Sequence, residues 1–106
     1  MDRKELLSKI KARLAEAFPA RFRGVVLYGS VARGDDEPDS DIDVLVLLDG
    51  PVDRYRDAWA CIDALYPLVL DELDGRPIHA KPVDVEKYRN PERPFFRHVQ
   101  KEGIPA

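Results

Sequence analysis

Hydrophobic residues near the N-terminus recur at intervals of three and four positions. These positions are Leu6, Leu7, Ile10, Leu14 and Ala17. This period is typical of an amphipathic helix with one apolar face. Because proline cannot continue such a helix, Pro19 marks its end. The pattern predicts a first helix that stops before Pro19.

Two later runs, residues 24–28 and Ile42–Leu48, are apolar almost throughout. Runs of this kind are typical of buried strands, and the second is apolar enough to be covered on both faces. Between them, residues 30–33 predict a short helix or turn, and residues 34–40 predict a polar loop. Residues 77–83 predict a third strand. Its two prolines favour a position at the edge of a sheet, where missing backbone donors cost least.

Apolar residues again recur every three or four positions between residues 55 and 73. The series consists of Tyr55, Trp59, Ile62, Tyr66, Val69 and Leu73, with Ala58, Leu65 and Leu68 beside it. It predicts a long helix closed by Gly75, and Pro67 should kink or divide this helix. Because Trp59 lies in the apolar series, we interpret it as a core residue.

The tail predicts a short helix over residues 95–101, with Gly103 at its C-cap. The whole order of elements indicates an α/β protein: a small mixed β-sheet of three to four strands, flanked by helices, in a single domain over residues 1–106. If the glycine turn that ends the first strand is to meet the carboxylates that open the second, these two strands must run antiparallel, which a local connection permits.

Composition narrows the class of protein. Apolar residues make up 44% of the chain and charged residues 35%, which is the balance of a globular domain. We expect no membrane span and no signal peptide, and the single cysteine, Cys61, suits a reducing compartment, so we expect a cytoplasmic protein. The net charge is −3, yet six of the 20 acidic residues fall within positions 35–43. This concentration of carboxylates favours a cation site over a generally acidic surface.

The acidic segment adjoins a glycine turn, and the two together indicate chemistry. Asp41 and Asp43 stand two positions apart at a strand entrance, so their side chains share one face, with α-carbons roughly 6.5–7 Å apart. Paired carboxylates of this kind suit Mg²⁺, which binds proteins through one or two carboxylates plus substrate phosphates. Gly29 and Ser30 precede a helix start, where backbone N–H groups are free for an anion. Arg33 is placed to hold another phosphate oxygen or to orient a carboxylate.

These residues resemble a known signature. Gly29-Ser30-x-x-Arg33-Gly34 followed by Ser40-Asp41-x-Asp43 is similar to the motif of the DNA polymerase β-like nucleotidyltransferases, and the chain as a whole resembles the minimal nucleotidyltransferases of that superfamily. The resemblance implies that Asp41 and Asp43 are the catalytic aspartates and bind Mg²⁺, as two ions once nucleotide is present. It also implies that Gly29 and Ser30 hold the triphosphate of an NTP, most naturally ATP, with Arg33 and Ser40 in support.

The same resemblance implies a reaction and a partner. Such enzymes transfer NMP to a hydroxyl and release pyrophosphate. Larger relatives carry a second domain for the acceptor, so here we expect a partner protein to supply it. The family resemblance points to a helical HEPN-type toxin, silenced by adenylylation of a tyrosine, with this chain as the antitoxin. Whether the chain also forms homo- or hetero-oligomers stays open.

One departure from the family pattern leaves an alternative open. The family carries a third carboxylate on a later strand, where this chain has His79; Asp84 and Glu86 follow but should lie beyond the strand. A missing carboxylate would favour a nucleotide-binding antitoxin that acts by occluding its partner. Transfer to a small antibiotic is a third reading, weakened by the lack of a substrate domain.

The tail mixes basic and aromatic residues, as nucleic-acid surfaces do. We favour instead a helix that docks its aromatic side chains on the core, because the net charge is negative.

Overall fold

The computed structural model describes residues 2–90 and 92–106; Met1 and Pro91 lie outside that description. Its elements are α1 (Arg3–Ala17), β1 (Phe22–Tyr28), α2 (Gly29–Arg33), β2 (Ile42–Leu48), α3 (Arg56–Glu72), β3 (Ile78–Asp84), α4 (Val85–Arg89), α5 (Pro94–Glu102) and β4 (Ile104–Pro105). In the part of the chain described, no helix is long and apolar enough to cross a membrane.

The strands form one mixed sheet in the order β3-β2-β1-β4. β1 and β2 pair antiparallel, as predicted, and β2 pairs parallel with β3. The long connection through α3 is what a parallel crossover requires. β3 lies at the edge of the sheet, so the prediction drawn from its two prolines is confirmed.

The sheet is covered on both faces, which explains why β2 is apolar throughout. Val44 and Val46 point towards α1 and α3, where they join one buried cluster with the apolar face of each helix. Leu45 and Leu47 point the other way, into a second cluster with Phe96 and Val99 of α5. Alternating residues of one strand therefore belong to different cores, as the strand period requires.

The predicted helices α1 and α5 form where the pattern placed them. α1 begins at Asp2, whose carboxylate accepts a hydrogen bond from the Glu5 backbone N–H at 2.8 Å. This is a standard N-cap that satisfies one free donor of the first turn. In α5, Phe96 is buried and Gly103 is the C-cap residue. The aromatic tail thus packs on the sheet.

Two expectations for α3, a division at Pro67 and a buried Trp59, are wrong. The helix runs unbroken from Arg56 to Glu72 with Pro67 inside it, so Pro67 does not divide it. Trp59 is not in the core: 63% of its surface is exposed. The face of α3 that packs inward carries Cys61, Leu65 and Leu68 instead. The helix has apolar residues on two faces, and the period alone does not say which face the rest of the chain covers.

Three further features were not predicted. α4 follows β3 directly, and β4 pairs with β1 after α5. Both are too short to give a clear periodic signal. The third feature is an ion pair between Arg21 and Asp57, in which both carboxylate oxygens accept hydrogen bonds at 2.9 Å. Asp57 is 3% exposed, and this pair ties the start of α3 to the segment before β1.

Candidate functional site

The antiparallel register of β1 and β2 brings the two halves of the predicted motif together. Tyr28, the last residue of β1, is the pairing partner of Asp43 near the start of β2. Gly29 and Ser30 follow Tyr28 directly, so the turn that opens α2 lies beside the carboxylates. A motif spread over fifteen positions, residues 29–43, thereby forms one site where β1 ends and β2 begins.

Gly29 is fixed at this position by its backbone and by its neighbour. Its φ is +76°, a conformation that side chains other than glycine rarely adopt. A Cβ atom placed on it would lie 2.6 Å from Oδ2 of Asp43. The main chain at the start of α2 therefore packs directly against the carboxylate. Backbone N–H groups in the first turn of a helix have no partner within the helix, which leaves them available to an anion.

Asp41 and Asp43 offer oxygen donors of the kind that a hard cation binds. Asp41 lies just before β2 and is exposed, and the Asp43 side chain is 28% exposed. Two residues apart on an extended chain, they point to the same side. No group of three or more His, Cys, Asp or Glu side chains among the described residues is arranged to hold a metal. The donor set therefore fits one Mg²⁺ held by two carboxylates, with its other ligands from phosphate and water.

The parallel register of β2 and β3 decides which candidate stands in the third-ligand position. His79 pairs with Asp43, and its Nδ1 lies 3.5 Å from Oδ1 of that residue. Asp84 pairs with Leu48 at the opposite end of β2. It is the last residue of β3, not beyond the strand, and it caps α4 by accepting a hydrogen bond from the Glu86 backbone N–H at 2.9 Å. Only His79 of these three candidates lies beside the aspartates.

Arg33 and Ser40 have local partners in this structure. Nε of Arg33 donates to Oδ2 of Asp35 at 3.2 Å, and both side chains are about half exposed. Oγ of Ser40 accepts a hydrogen bond from the Glu37 backbone N–H at 3.0 Å. Both contacts shape the loop between α2 and β2, and neither side chain contacts the aspartates.

Sequence reasoning missed Arg76, whose side chain donates hydrogen bonds to the acidic loop between α2 and β2. Its Nε donates to the Ser40 carbonyl oxygen at 2.6 Å, and its Nη2 donates to Oδ2 of Asp36 at 2.6 Å. Its side chain is only 21% exposed. The hydrogen bond from Arg76 lowers the pKa of the Asp36 carboxyl. Since Ser40 is adjacent to Asp41, this contact fixes the main chain that leads into Asp41 and Asp43. Asp36 and Arg76 are forty positions apart, so no local pattern signals their contact.

An aromatic wall borders the carboxylates on the same face of the sheet. The rings of Tyr28 and Phe95 meet edge to face with centroids 5.6 Å apart, and Nζ of Lys81 lies 5.1 Å from the centre of the Phe95 ring. Burial raises the pKa of the Tyr28 phenol, and the nearby charge of Asp43 adds to the effect. Phe95 keeps 42% of its surface exposed. The site thus combines the carboxylates of Asp41 and Asp43 with a partly exposed apolar surface formed by Tyr28 and Phe95.

Comparison with known proteins identifies the family. The family model described as "Nucleotidyltransferase domain" matches residues 7–102. The chain belongs to this nucleotidyltransferase family, as the motif predicted.

Two relatives of this chain are MJ0604 and MJ0141 from Methanocaldococcus jannaschii, and both are provisionally named protein adenylyltransferases. MJ0604 is 25% identical over 91 residues, which cover 85% of this chain and 91% of the relative. MJ0141 is 30% identical over 91 residues, which cover 79% of this chain and 92% of the relative.

A solved structure shares the fold. It has a TM-score of 0.56 and 20% sequence identity, and the match covers 90% of this chain and 70% of the other. That structure is described as a toxin-antitoxin with AMP-PNP.

Proposed function

We propose that this protein binds Mg²⁺-ATP and transfers AMP to a hydroxyl group of a partner protein. One observation carries the proposal: the pairing of Tyr28 with Asp43, which sets the Gly29-Ser30 turn against Asp41 and Asp43. A phosphate-binding turn and a pair of metal-binding carboxylates at one edge are the two parts that nucleotide transfer needs. Membership of the nucleotidyltransferase family supports the reaction class.

Each residue of the site has a task in this proposal. Asp41 and Asp43 would hold Mg²⁺, which when bound neutralises phosphate charge and orients the triphosphate. The N–H groups at the start of α2, with the Ser30 hydroxyl, would hold phosphate oxygens. Phe95 and Tyr28 would limit access of water from one side. Because His79 cannot add negative charge, we propose one firmly held ion, with a second bound only weakly beside the nucleotide.

The reaction is a substitution at phosphorus. The hydroxyl oxygen of the acceptor bonds to the α-phosphorus, the bond from that phosphorus to the bridging oxygen breaks, and pyrophosphate leaves with the electron pair. The proton of the acceptor hydroxyl must pass to a base. We propose that the imidazole of His79, whose Nδ1 lies 3.5 Å from Oδ1 of Asp43, would take it.

The acceptor is proposed to be a HEPN-type helical toxin, with this protein as its antitoxin. The names of the two M. jannaschii relatives support a protein acceptor, and the toxin-antitoxin neighbour with AMP-PNP supports a nucleotide and a partner. The adenine base and the tyrosine acceptor rest on the motif resemblance.

A second candidate function has an observation in its favour. His79, not a carboxylate, pairs with Asp43, and the described residues contain no three-ligand cluster. A site with two carboxylates can bind Mg²⁺-nucleotide and still transfer it slowly. The protein would then silence its partner by covering it.

The decisive experiment incubates the protein with the toxin candidate, Mg²⁺ and ATP labelled at the α-phosphate. Label on the partner and release of pyrophosphate are expected, and both should be lost in Asp41→Asn and Asp43→Asn. Asp39→Asn is the matched control, because it removes a charge from the same acidic segment outside the pair. Tight ATP binding without label on the partner would favour occlusion. If both variants still bind nucleotide and still label the partner, the assignment of the site is refuted.

A further inference from the structure

Helix α3 carries a second apolar face that the rest of the chain leaves uncovered. Its exposed members are Tyr55 (75% exposed), Trp59 (63%), Ile62 (47%), Tyr66 (58%) and Leu70 (54%). They follow one another at intervals of three and four, so they lie on one side of the helix. We call these five residues the α3 stripe. The opposite side of α3, with Leu65 and Leu68, packs on the sheet.

The α3 stripe forms a contiguous apolar patch. At these exposed fractions, its three aromatic side chains alone present roughly 300–500 Å² to solvent, and Ile62 and Leu70 add to that area. The largest apolar patch on a soluble monomer is about this size and is often functional. A groove of about 240 Å³ continues the patch beside Tyr66, lined by Ile62, Val69, Pro77 and neighbouring residues. Its walls offer room for an aromatic side chain from another chain.

The spacing of the stripe makes it complementary to itself. Its two end residues are Tyr55 and Leu70. Next to them lie the aromatic residues Trp59 and Tyr66, and the aliphatic Ile62 lies at the centre. Laid antiparallel on a second α3, Tyr55 faces Leu70, Trp59 faces Tyr66, and the axis passes next to Ile62. A two-fold interface needs one patch that matches its own rotated copy. The groove beside Tyr66 then lies level with Trp59 of the second copy.

The charges at the two ends of α3 favour the same orientation. Arg54 and Arg56 stand exposed at its N-terminal end and outnumber the exposed Asp53 there, whereas Asp71 and Asp74 stand exposed at its C-terminal end. The nearby Asp57 charge is already paired with Arg21. An antiparallel pair brings each basic end to an acidic end, whereas a parallel pair would oppose like charges. Complementary charge of this kind fixes orientation more than it adds affinity.

We propose that the α3 stripe is the interface of a homodimer in which two α3 helices pack antiparallel. Its modest area predicts a reversible dimer with a Kd in the micromolar range. Asp43 and His79 lie on the other face of the sheet from α3, since Asp43 alternates with Val44. The dimer therefore leaves both nucleotide sites open, and this proposal does not depend on the proposed reaction.

The first test measures molar mass by sedimentation over a range of micromolar concentrations. The wild-type chain should pass from monomer to dimer. Trp59→Asp should weaken the dimer by about 30-fold or more, the loss typical of a central aromatic residue. Lys11→Asp, which adds a carboxylate to an exposed position of α1, should not. Far-ultraviolet circular dichroism spectra should be the same for all three proteins, which would show that Trp59→Asp still folds.

The second test fixes the register with single cysteines. Burial raises the pKa of the Cys61 thiol to about 12, so an added cysteine is the reactive one. Ile62→Cys, next to the axis, should cross-link to itself under mild oxidation. Tyr55→Cys should not cross-link to itself but should do so when mixed with Leu70→Cys. A chain that stays monomeric, or equal cross-linking of Ile62→Cys and Tyr55→Cys, overturns the proposal and assigns the stripe to a different protein.

Discussion

Gly29 and Asp43 are in such close contact that a methyl group on the α-carbon of Gly29 would lie 2.6 Å from the Asp43 carboxylate oxygen. The turn that is proposed to bind phosphate and the carboxylate that is proposed to bind metal thus form one packed unit. This contact has a direct consequence for substitution.

Gly29→Ala should abolish Mg²⁺-dependent nucleotide binding while the protein still folds. The added methyl group displaces the Asp43 carboxylate, which is the mobile end of a side chain, and the φ of +76° costs about 1–3 kcal/mol. Gly75→Ala is the matched control. Gly75 has a φ of +81° with open space around its α-carbon, so it carries the same backbone cost without the collision. Calorimetry with Mg²⁺-ATP should separate them, and equal loss of binding in both would show that backbone strain alone is responsible.

His79→Asp should raise the rate of nucleotide transfer. The new carboxylate would stand beside Asp43 and would supply the negative charge that a second Mg²⁺ requires. Glu86→Gln should leave the rate unchanged, because Glu86 lies at the far end of β3. Initial rates of label transfer, with Mg²⁺ titrated into both variants, provide the measurement. A rate abolished by Glu86→Gln would place the third ligand elsewhere than the register of β3 indicates.

Arg76→Ala should weaken Mg²⁺-ATP binding by about tenfold, in the range seen when the support of a metal ligand is removed. The reason is positional: the variant loses the hydrogen bonds to Ser40 and Asp36 that hold the main chain before Asp41. Mg²⁺ binding is therefore also measured without ATP, where charge alone predicts the reverse, since removing a cation near an acidic loop should strengthen the attraction for Mg²⁺. Tighter Mg²⁺ binding by Arg76→Ala would exclude the positional role.

Two further variants sharpen that measurement. Arg76→Lys keeps the charge but not the planar fork that makes both hydrogen bonds, so binding should stay weak. Arg33→Ala should have little effect, because its ion pair with Asp35 is exposed. Recovery of full affinity in Arg76→Lys would contradict the argument from geometry.

The ion pair of Arg21 with Asp57 should give the protein an acid-sensitive contribution to stability. The hydrogen bonds from Arg21 lower the pKa of the Asp57 carboxyl, against the opposing effect of its burial. A carboxyl whose pKa is lower in the folded state stabilises the fold above its ordinary pKa of about 4, and the contribution disappears as pH falls through the folded-state value. Urea unfolding of the wild type should therefore show a loss of stability below about pH 4.

Asp57→Asn should remove that part of the pH dependence and should cost about 2 kcal/mol at neutral pH. The cost is less than for a fully buried pair, since the Arg21 side chain is 34% exposed. The control Arg23→Gln breaks the exposed pair with Asp49 and should cost at most about 1 kcal/mol. An unchanged stability profile in Asp57→Asn would refute a stabilising role for the buried pair.

The sequence by itself determined the local features of this protein. The period of the apolar residues placed α1, α3 and α5, and the two buried runs placed β1 and β2. The motif formed by Gly29, Asp41 and Asp43 predicted one site, and bringing the two parts of that site together required the two strands to be antiparallel. Each of these inferences depends on residues near one another in the chain, where backbone geometry fixes the relation.

Only the tertiary structure decided the relations between distant residues. α3 has apolar residues on two sides, and packing against α1 and the sheet selected the side with Leu65, which left Trp59 exposed. The register of β3 on β2 places His79 beside Asp43 and Asp84 beside Leu48, at the opposite end of β2. No local pattern predicts this register. Arg76 reached Asp36 across forty positions. Packing and strand pairing are sums over many contacts between separate elements, so they are settled only when the whole chain folds.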